Sequence, residues 1–159
     1  MDSAVVEWLE ERRPGVDPAE PSVLHMDYHG MNVMLWGDGA PAVIDWSAAK
    51  IGDYREDLAW SLMLYTTFGG DAYRPMIMSH YKKASGRETT DITFFEALAA
   101  LRRVTDLTMT VKGSDGAGLK PGAAELMREH SEHYRRVHDL LEERTGLRLA
   151  EFDALIESM

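Results

Sequence analysis

The stretch His25-Met26-Asp27-Tyr28-His29-Gly30-Met31-Asn32 gathers two histidines, an aspartate and an asparagine into eight residues. Just upstream, Ser22-Val23-Leu24-His25 follows Pro18 and Pro21 and reads as a short strand entering a polar turn. Just downstream, Val33-Met34-Leu35-Trp36 and Ala42-Val43-Ile44 flank Gly37-Asp38-Gly39, the pattern of an antiparallel hairpin with a Gly/Asp connection. The polar window is therefore a loop between short β elements, the kind of place where rigid scaffolds present reactive groups. Thirteen residues after Asn32, at the end of the second arm, stands Asp45, which the hairpin folds back towards Asn32.

Outward from this segment the periodicity turns helical. Before it, Val5, Trp8 and Leu9, with Val6 beside them, share one side of a helix over Ser3 to Arg13 that Pro14-Gly15 stops. After Gly52, Leu58, Leu62 and Tyr65, joined by Trp60, Met63 and Leu64, make a broad apolar helix that ends near Gly69-Gly70 and is largely buried. Further helices are expected over Ala72 to Ser85, Asp91 to Lys112, Ala123 to Arg144 and Ala150 to Ser158, with Gly86, Gly113 and Gly146 after three of the ends. The Gly-rich stretch Ser114 to Gly122 reads as a loop with mobile potential. The fold class is α+β, mostly helical, without internal repeats.

The chain has 159 residues, which predicts one domain, and 45% hydrophobic residues, enough for a core. Its 17 Lys and Arg against 27 Asp and Glu give a formal charge of -10, which argues against a phosphate-tracking nucleic-acid binder. With no cysteine there is no disulfide, thiol nucleophile or cysteine-ligated metal, which fits a reducing compartment, and the cytoplasm is the expected location. No apolar run reaches the ~18 residues that span a bilayer, so no membrane association is expected.

A carboxylate, an amide and a second carboxylate converging on one hairpin suit phosphoryl transfer, where one Asp accepts or orients a hydroxyl proton while an Asn and another Asp hold Mg²⁺. On that reading Asp27 is the base, and Asn32 and Asp45 are the hard oxygen ligands that Mg²⁺ prefers. Two other readings compete. The same Asx residues could be turn and capping groups of the hairpin. Alternatively, His25, Asp27 and His29 would alternate onto one face of an extended segment as a two-histidine, one-carboxylate set for Fe or Zn. His80, His130, His133 and His138 read as solvated helix positions, with the His130/His133 pair as a lesser metal candidate. Met63, Met76, Met78, Met109 and Met127 read as core gap-fillers.

His25-x-Asp27-x-His29-x-x-Asn32, Ile44-Asp45-Trp46, Gly52-Asp53 and Asp57-Leu58-Ala59 together resemble the aminoglycoside phosphotransferase family, relatives of choline kinase and the protein kinases. The resemblance implies the C-terminal lobe of a protein-kinase-like fold, residues 1–70 carrying the catalytic motifs and 71–159 a helical substrate-side part. It implies Asp27 as catalytic base, Asn32 and Asp45 as metal ligands, His25 as a brace of the catalytic loop and Asp57 as the buried acid that props it. An acid in the first turn of its helix also suits capping of free backbone N–H groups. Met26 stands where the family usually has Gly, and Gly30-Met31 replaces its usual Pro-Gly.

Only 24 residues precede His25, too few for the nucleotide lobe with its Gly-rich loop and Lys, and Lys50, the nearest alternative, falls in a loop after Asp45. The expected function is transfer of the ATP γ-phosphoryl group, with Mg²⁺, to a hydroxyl of a small molecule, incomplete as an isolated chain. The alternative is a catalytically silent interaction module. Expected partners are the acceptor and either a second copy or a separate N-lobe chain, with Trp8 and Trp36 on the surface that such a partner would cover.

Overall fold

A computed structural model of the chain describes residues 3–112, 122, 125 and 129–158. The expected loop Ser114 to Gly122, Gly113, Met127 and the beginning of the helix expected from Ala123 lie outside the described residues, apart from isolated positions. The chain divides into two compact units, Val16–Glu96 and Met1–Gly15 together with Ala97–Met159.

Within Val16–Glu96, strand β1 (Ser22–Leu24) leads into the polar loop, a 3₁₀ turn covers Gly30–Asn32, and β2 (Val33–Leu35) and β3 (Pro41–Val43) form the hairpin. The hairpin register pairs Val33 with Val43 and Leu35 with Pro41, antiparallel. Asp38 closes its turn by accepting the Ala40 N–H at 3.0 Å. A strand absent from the expectation, β4 (Lys50–Gly52), pairs antiparallel with β1, Ser22 opposite Gly52. Lys50 therefore begins a strand rather than lying in a loop, and its ammonium is paired with Glu56 at 2.5 Å.

Helix α2 (Tyr54–Gly69) follows at once. Its N-cap is Asp53, which accepts the Arg55 N–H at 3.0 Å, so capping falls to Asp53 and not to Asp57. Arg55 is itself buried, donating to both carboxylate oxygens of Asp53 and to the Thr90 carbonyl. This network fixes the start of α2. As expected, the helix is largely buried, from Leu58 through Leu64 without a break. Helix α3 (Tyr73–Ser85) contrasts with it, since none of its residues is fully buried, and it ends on Gly86 in the left-handed conformation that glycine adopts without a Cβ clash. Met63 is core, but Met76 on α3 is exposed.

In the second unit, α1 (Ser3–Arg12) buries Val5 and Leu9, and Pro14 follows its end. Helix α4 (Ile92–Lys112) passes from one unit into the other, and its Met109 is exposed rather than core. Helix α5 (Ser131–Thr145) and helix α6 (Ala150–Glu157) pack together. Two histidines expected on a solvated face are core residues: His133, Tyr134, Val137, His138 and Leu141 form one buried stripe of α5. His138 accepts the Leu149 N–H at Nε2 (2.8 Å), so Nδ1 carries the proton donated to Asp153 at 3.0 Å. His133 accepts from Arg103 at 3.2 Å, and burial, then the nearby guanidinium, pushes its pKa down to about 3. Among the described residues, no helix is long and apolar enough to cross a membrane.

Candidate functional site

The polar loop is gripped by one face of α2. Asp57 accepts the His25 N–H at 2.9 Å and the Met26 N–H at 2.8 Å, one on each carboxylate oxygen. One helical turn on, the Trp60 indole N–H donates to Asp27 Oδ1 at 3.1 Å. Ser61, next along the same face, donates its hydroxyl to the Tyr28 carbonyl at 2.8 Å. Positions 57, 60 and 61 have the i, i+3, i+4 spacing that puts side chains on one helix face. Four consecutive loop residues, His25 to Tyr28, are thus each held by α2. Trp60 and Ser61 were not singled out from the sequence, although their spacing from Asp57 was the available signal.

His25 ties the loop to the far end of the hairpin. The Asp27 amide donates to its Nδ1 at 3.2 Å, and because an amide N–H can only donate, the proton resides on Nε2, which donates to the Ile44 carbonyl at 2.9 Å. Its ring also lies 4.7 Å from that of Trp46. The residue beside it carries strain: buried Met26 has φ +64°, a left-handed conformation that costs a bulky side chain about 1 kcal/mol or more. The hydrogen bonds from the His25 and Met26 N–H groups to Asp57 fix the backbone leading into that Cα, where the family pattern has glycine.

Asn32, buried at the base of the hairpin, closes the loop. Its Nδ2 donates to the Asp27 carbonyl at 3.0 Å and lies 3.4 Å from Asp27 Oδ2. Both partners are acceptors, so the amide nitrogen must face them and Oδ1 is turned away. His29 Nε2 stands 3.6 Å from Asp27 Oδ2 and 3.3 Å from the Asn32 amide nitrogen. The Asp27 carboxylate therefore faces an indole N–H, an amide and an imidazole, while its side chain stays 40% exposed. A carboxylate so placed remains open to a proton donor on its exposed side.

Asp45 belongs to the neighbouring turn. The Ile44 N–H donates to the Asn32 carbonyl at 2.9 Å, which brings Asp45 next to Asn32 across the two chain segments. Its own side chain is bonded within its turn, accepting from Ser47 Oγ at 2.6 Å and from Ser47 N–H at 3.4 Å. The Ser47 hydroxyl, followed by the Ser47 N–H, holds the Asp45 carboxyl below the usual carboxylate range. Asp45 is exposed and adopts φ +58°, a conformation Asp tolerates better than most residues.

The donor set suits Mg²⁺. The Asn32 Oδ1 and the Asp45 carboxylate are both hard oxygens, the kind that Mg²⁺ prefers. Among the described residues, no three His, Asp or Glu side chains come together as a metal cluster, so His25, Asp27 and His29 do not form the two-histidine, one-carboxylate set. His25 is instead committed to backbone at both ring nitrogens.

No curated protein matches the chain. Residues 1–93, which contain the loop, the hairpin, Asp45 and all of α2 and α3, match the model of the phosphotransferase enzyme family, to which the aminoglycoside phosphotransferases belong. The match covers more than half of the 159 residues, and the chain belongs to the phosphotransferase enzyme family.

Proposed function

We propose that this chain is the catalytic-loop lobe of a small-molecule kinase that transfers the γ-phosphoryl group of ATP to a hydroxyl. The observation that carries this reading is the grip of α2 on residues 25–28, which leaves the Asp27 carboxylate oriented by Trp60 and Asn32 and still open on one side. In the transfer, the acceptor oxygen bonds to the γ-phosphorus as the bond to the β–γ bridging oxygen breaks, and ADP leaves. The acceptor's proton passes to the Asp27 carboxylate. Trp60 and Asn32 keep that carboxylate in place, so little reorganisation is needed as the proton arrives. Asn32 Oδ1 and Asp45 would hold Mg²⁺, whose charge, when bound, offsets that of the phosphates. His25 and Asp57 act through the loop, fixing its backbone, and are positioning residues.

A second reading, a silent interaction module, draws on a different observation. Leu35 is 72% exposed and Trp36 68% exposed at the tip of the hairpin, more apolar surface than a hairpin normally leaves to water. In the kinase reading the same surface supports docking of a nucleotide-binding lobe or a second copy. Calorimetric titration with Mg-ATP separates the two. The kinase lobe binds it, loses it on Asp45→Ala and keeps it on Asp27→Ala. Absence of binding by the wild type, with a folded chain, would leave the interaction module as the surviving reading.

A further inference from the structure

Two histidines flank Asp27, and they carry their protons on opposite nitrogens. His25 holds its proton on Nε2, which donates to the Ile44 carbonyl. His29 is unused by the proposed transfer, and its Nε2 stands 3.3 Å from Asn32 Nδ2. That amide nitrogen faces the Asp27 carbonyl, which only accepts, so it carries two hydrogens and has no lone pair to offer an imidazole N–H. His29 Nε2 is therefore the acceptor, and the proton of the neutral ring sits on Nδ1. The Asp27 Oδ2 atom, 3.6 Å from Nε2, is too far to hold the proton there by a hydrogen bond.

The contact is built by the turn itself. In the 3₁₀ turn Gly30–Asn32 the i, i+3 pattern sets position 29 beside position 32, and the Asn32 N–H donates to the His29 carbonyl at 2.9 Å. The same two residues are thus bonded through backbone and through side chain. Gly30 lets the turn lie close to α2, since a Cβ there would stand only 3.3 Å from the Tyr65 hydroxyl. One Asn32 amide hydrogen goes to the Asp27 carbonyl at 3.0 Å, and the other lies between His29 Nε2 at 3.3 Å and Asp27 Oδ2 at 3.4 Å. Turned over, the amide would set Oδ1 against three acceptors.

Resting on the kinase reading above, we propose that His29 is a positioning residue for the metal: its Nε2 lone pair fixes the Asn32 amide so that Oδ1 stays free for Mg²⁺. Without His29, Asp27 alone holds the amide, and the second hydrogen turns wholly to the carboxylate of the base. The ligand is then tied to the group it should stand apart from. Groups that orient a metal ligand in this way typically account for about 10–100-fold in metal affinity or activity.

The test reads the ring and the metal separately. A long-range ¹H–¹⁵N spectrum of the wild type with the ring neutral should show His29 protonated at Nδ1 and bare at Nε2. A proton on Nε2 overturns the proposal, whatever the chain binds. Calorimetric titration with Mg-ATP then compares the wild type with His29→Leu and His29→Gln. The leucine variant should bind about tenfold more weakly, and the glutamine variant, whose side-chain oxygen supplies an acceptor, should recover most of the loss. A ring that merely packed would be replaced better by leucine than by glutamine. Binding by His29→Leu equal to the wild type, or a glutamine variant no better than the leucine one, overturns the role of His29 and leaves the kinase reading standing. Failure of the wild type to bind Mg-ATP removes the kinase reading and the metal role together.

Discussion

Asp27 and Asp45 are both aspartates at the ends of short β segments, yet the first is held by groups from other elements and the second only by a serine two residues on. Trp60 reaches Asp27 from α2 and Asn32 reaches it from the hairpin base, while Asp45 relies on Ser47 in its own turn. His25, Met26, Asn32 and Trp60 around Asp27 are buried, whereas Asp45 is exposed. The difference matches the tasks proposed for them. A base gains from being positioned before substrate arrives, because reorganisation then does not add to the barrier. A metal ligand that must admit a hydrated ion and phosphates gains from standing open.

The sharpest way to break the contrast is to remove the prop. Asp57→Ala leaves two backbone N–H groups of a partly buried loop without their carboxylate, and at roughly 1.5–3 kcal/mol for each hydrogen bond to a charged group it should cost about 3 kcal/mol or more. Denaturant unfolding reads this directly, and Asp57→Asn, which keeps an acceptor, should recover part of the loss. A result near zero would show that the loop does not depend on α2.

Trp60→Phe removes the indole donor and keeps most of the apolar bulk. With the Asp27 side chain 40% exposed, solvent replaces part of the bond, so the stability loss should be only about 1 kcal/mol. Phosphoryl transfer should fall further than this stability change suggests, with Mg-ATP affinity unchanged, because the substitution touches the base and not Asp45. Equal loss of affinity would merge the two halves.

Met26 offers a test of the strain. At φ +64° an alanine keeps the left-handed penalty that glycine avoids, so Met26→Gly should be more stable than Met26→Ala by about 1 kcal/mol, reversing the usual order. Both should be less stable than the wild type, since a buried side chain is lost. The usual order, alanine above glycine, would show that the backbone is not held there.

The smallest effect belongs to Ser47. Its hydroxyl and N–H hold the Asp45 carboxyl below the usual range, so the carboxylate persists to lower pH than a free aspartate. Ser47→Ala should move the Asp45 titration upward, towards the ordinary carboxylate value, in a ¹³C NMR titration. Mg-ATP binding that depends on ionised Asp45 should then fail at a higher pH in the variant than in the wild type.

Much of this contrast was legible before any coordinates. The polar loop and the hairpin are marked by residue type and spacing, and the helical boundaries by Gly86 and Gly146, because these depend on local chemistry, whereas the acid at position 57 was marked only by the family resemblance. What was not legible depends on long-range pairing. Strand β4 is three residues, Lys50 to Gly52, with no apolar alternation of its own, and exists because β1 lies beside it. Trp60 read as one more apolar residue of a buried helix, since its indole N–H matters only once the loop folds over it. His133 and His138 were read as solvated for a related reason: a histidine among Glu and Arg is core only when partners such as Arg103 and Asp153 arrive from other elements.

The central claim is that α2 holds the base ready while Asp45 stands open for the metal and nucleotide, and one ¹H–¹⁵N NMR titration of the folded chain with Mg-ATP addresses it. Four tryptophans give four indole signals, of which Trp60 is the buried one bonded to Asp27. Before addition, the Trp60 indole and the amides of His25 and Met26 should exchange slowly with solvent. On addition, the amides of Asp45 and Ser47 should shift while Trp60 and residues 25–28 stay in place. Large shifts or exchange broadening at Trp60 and residues 25–28, or no response at Asp45 and Ser47, would contradict it.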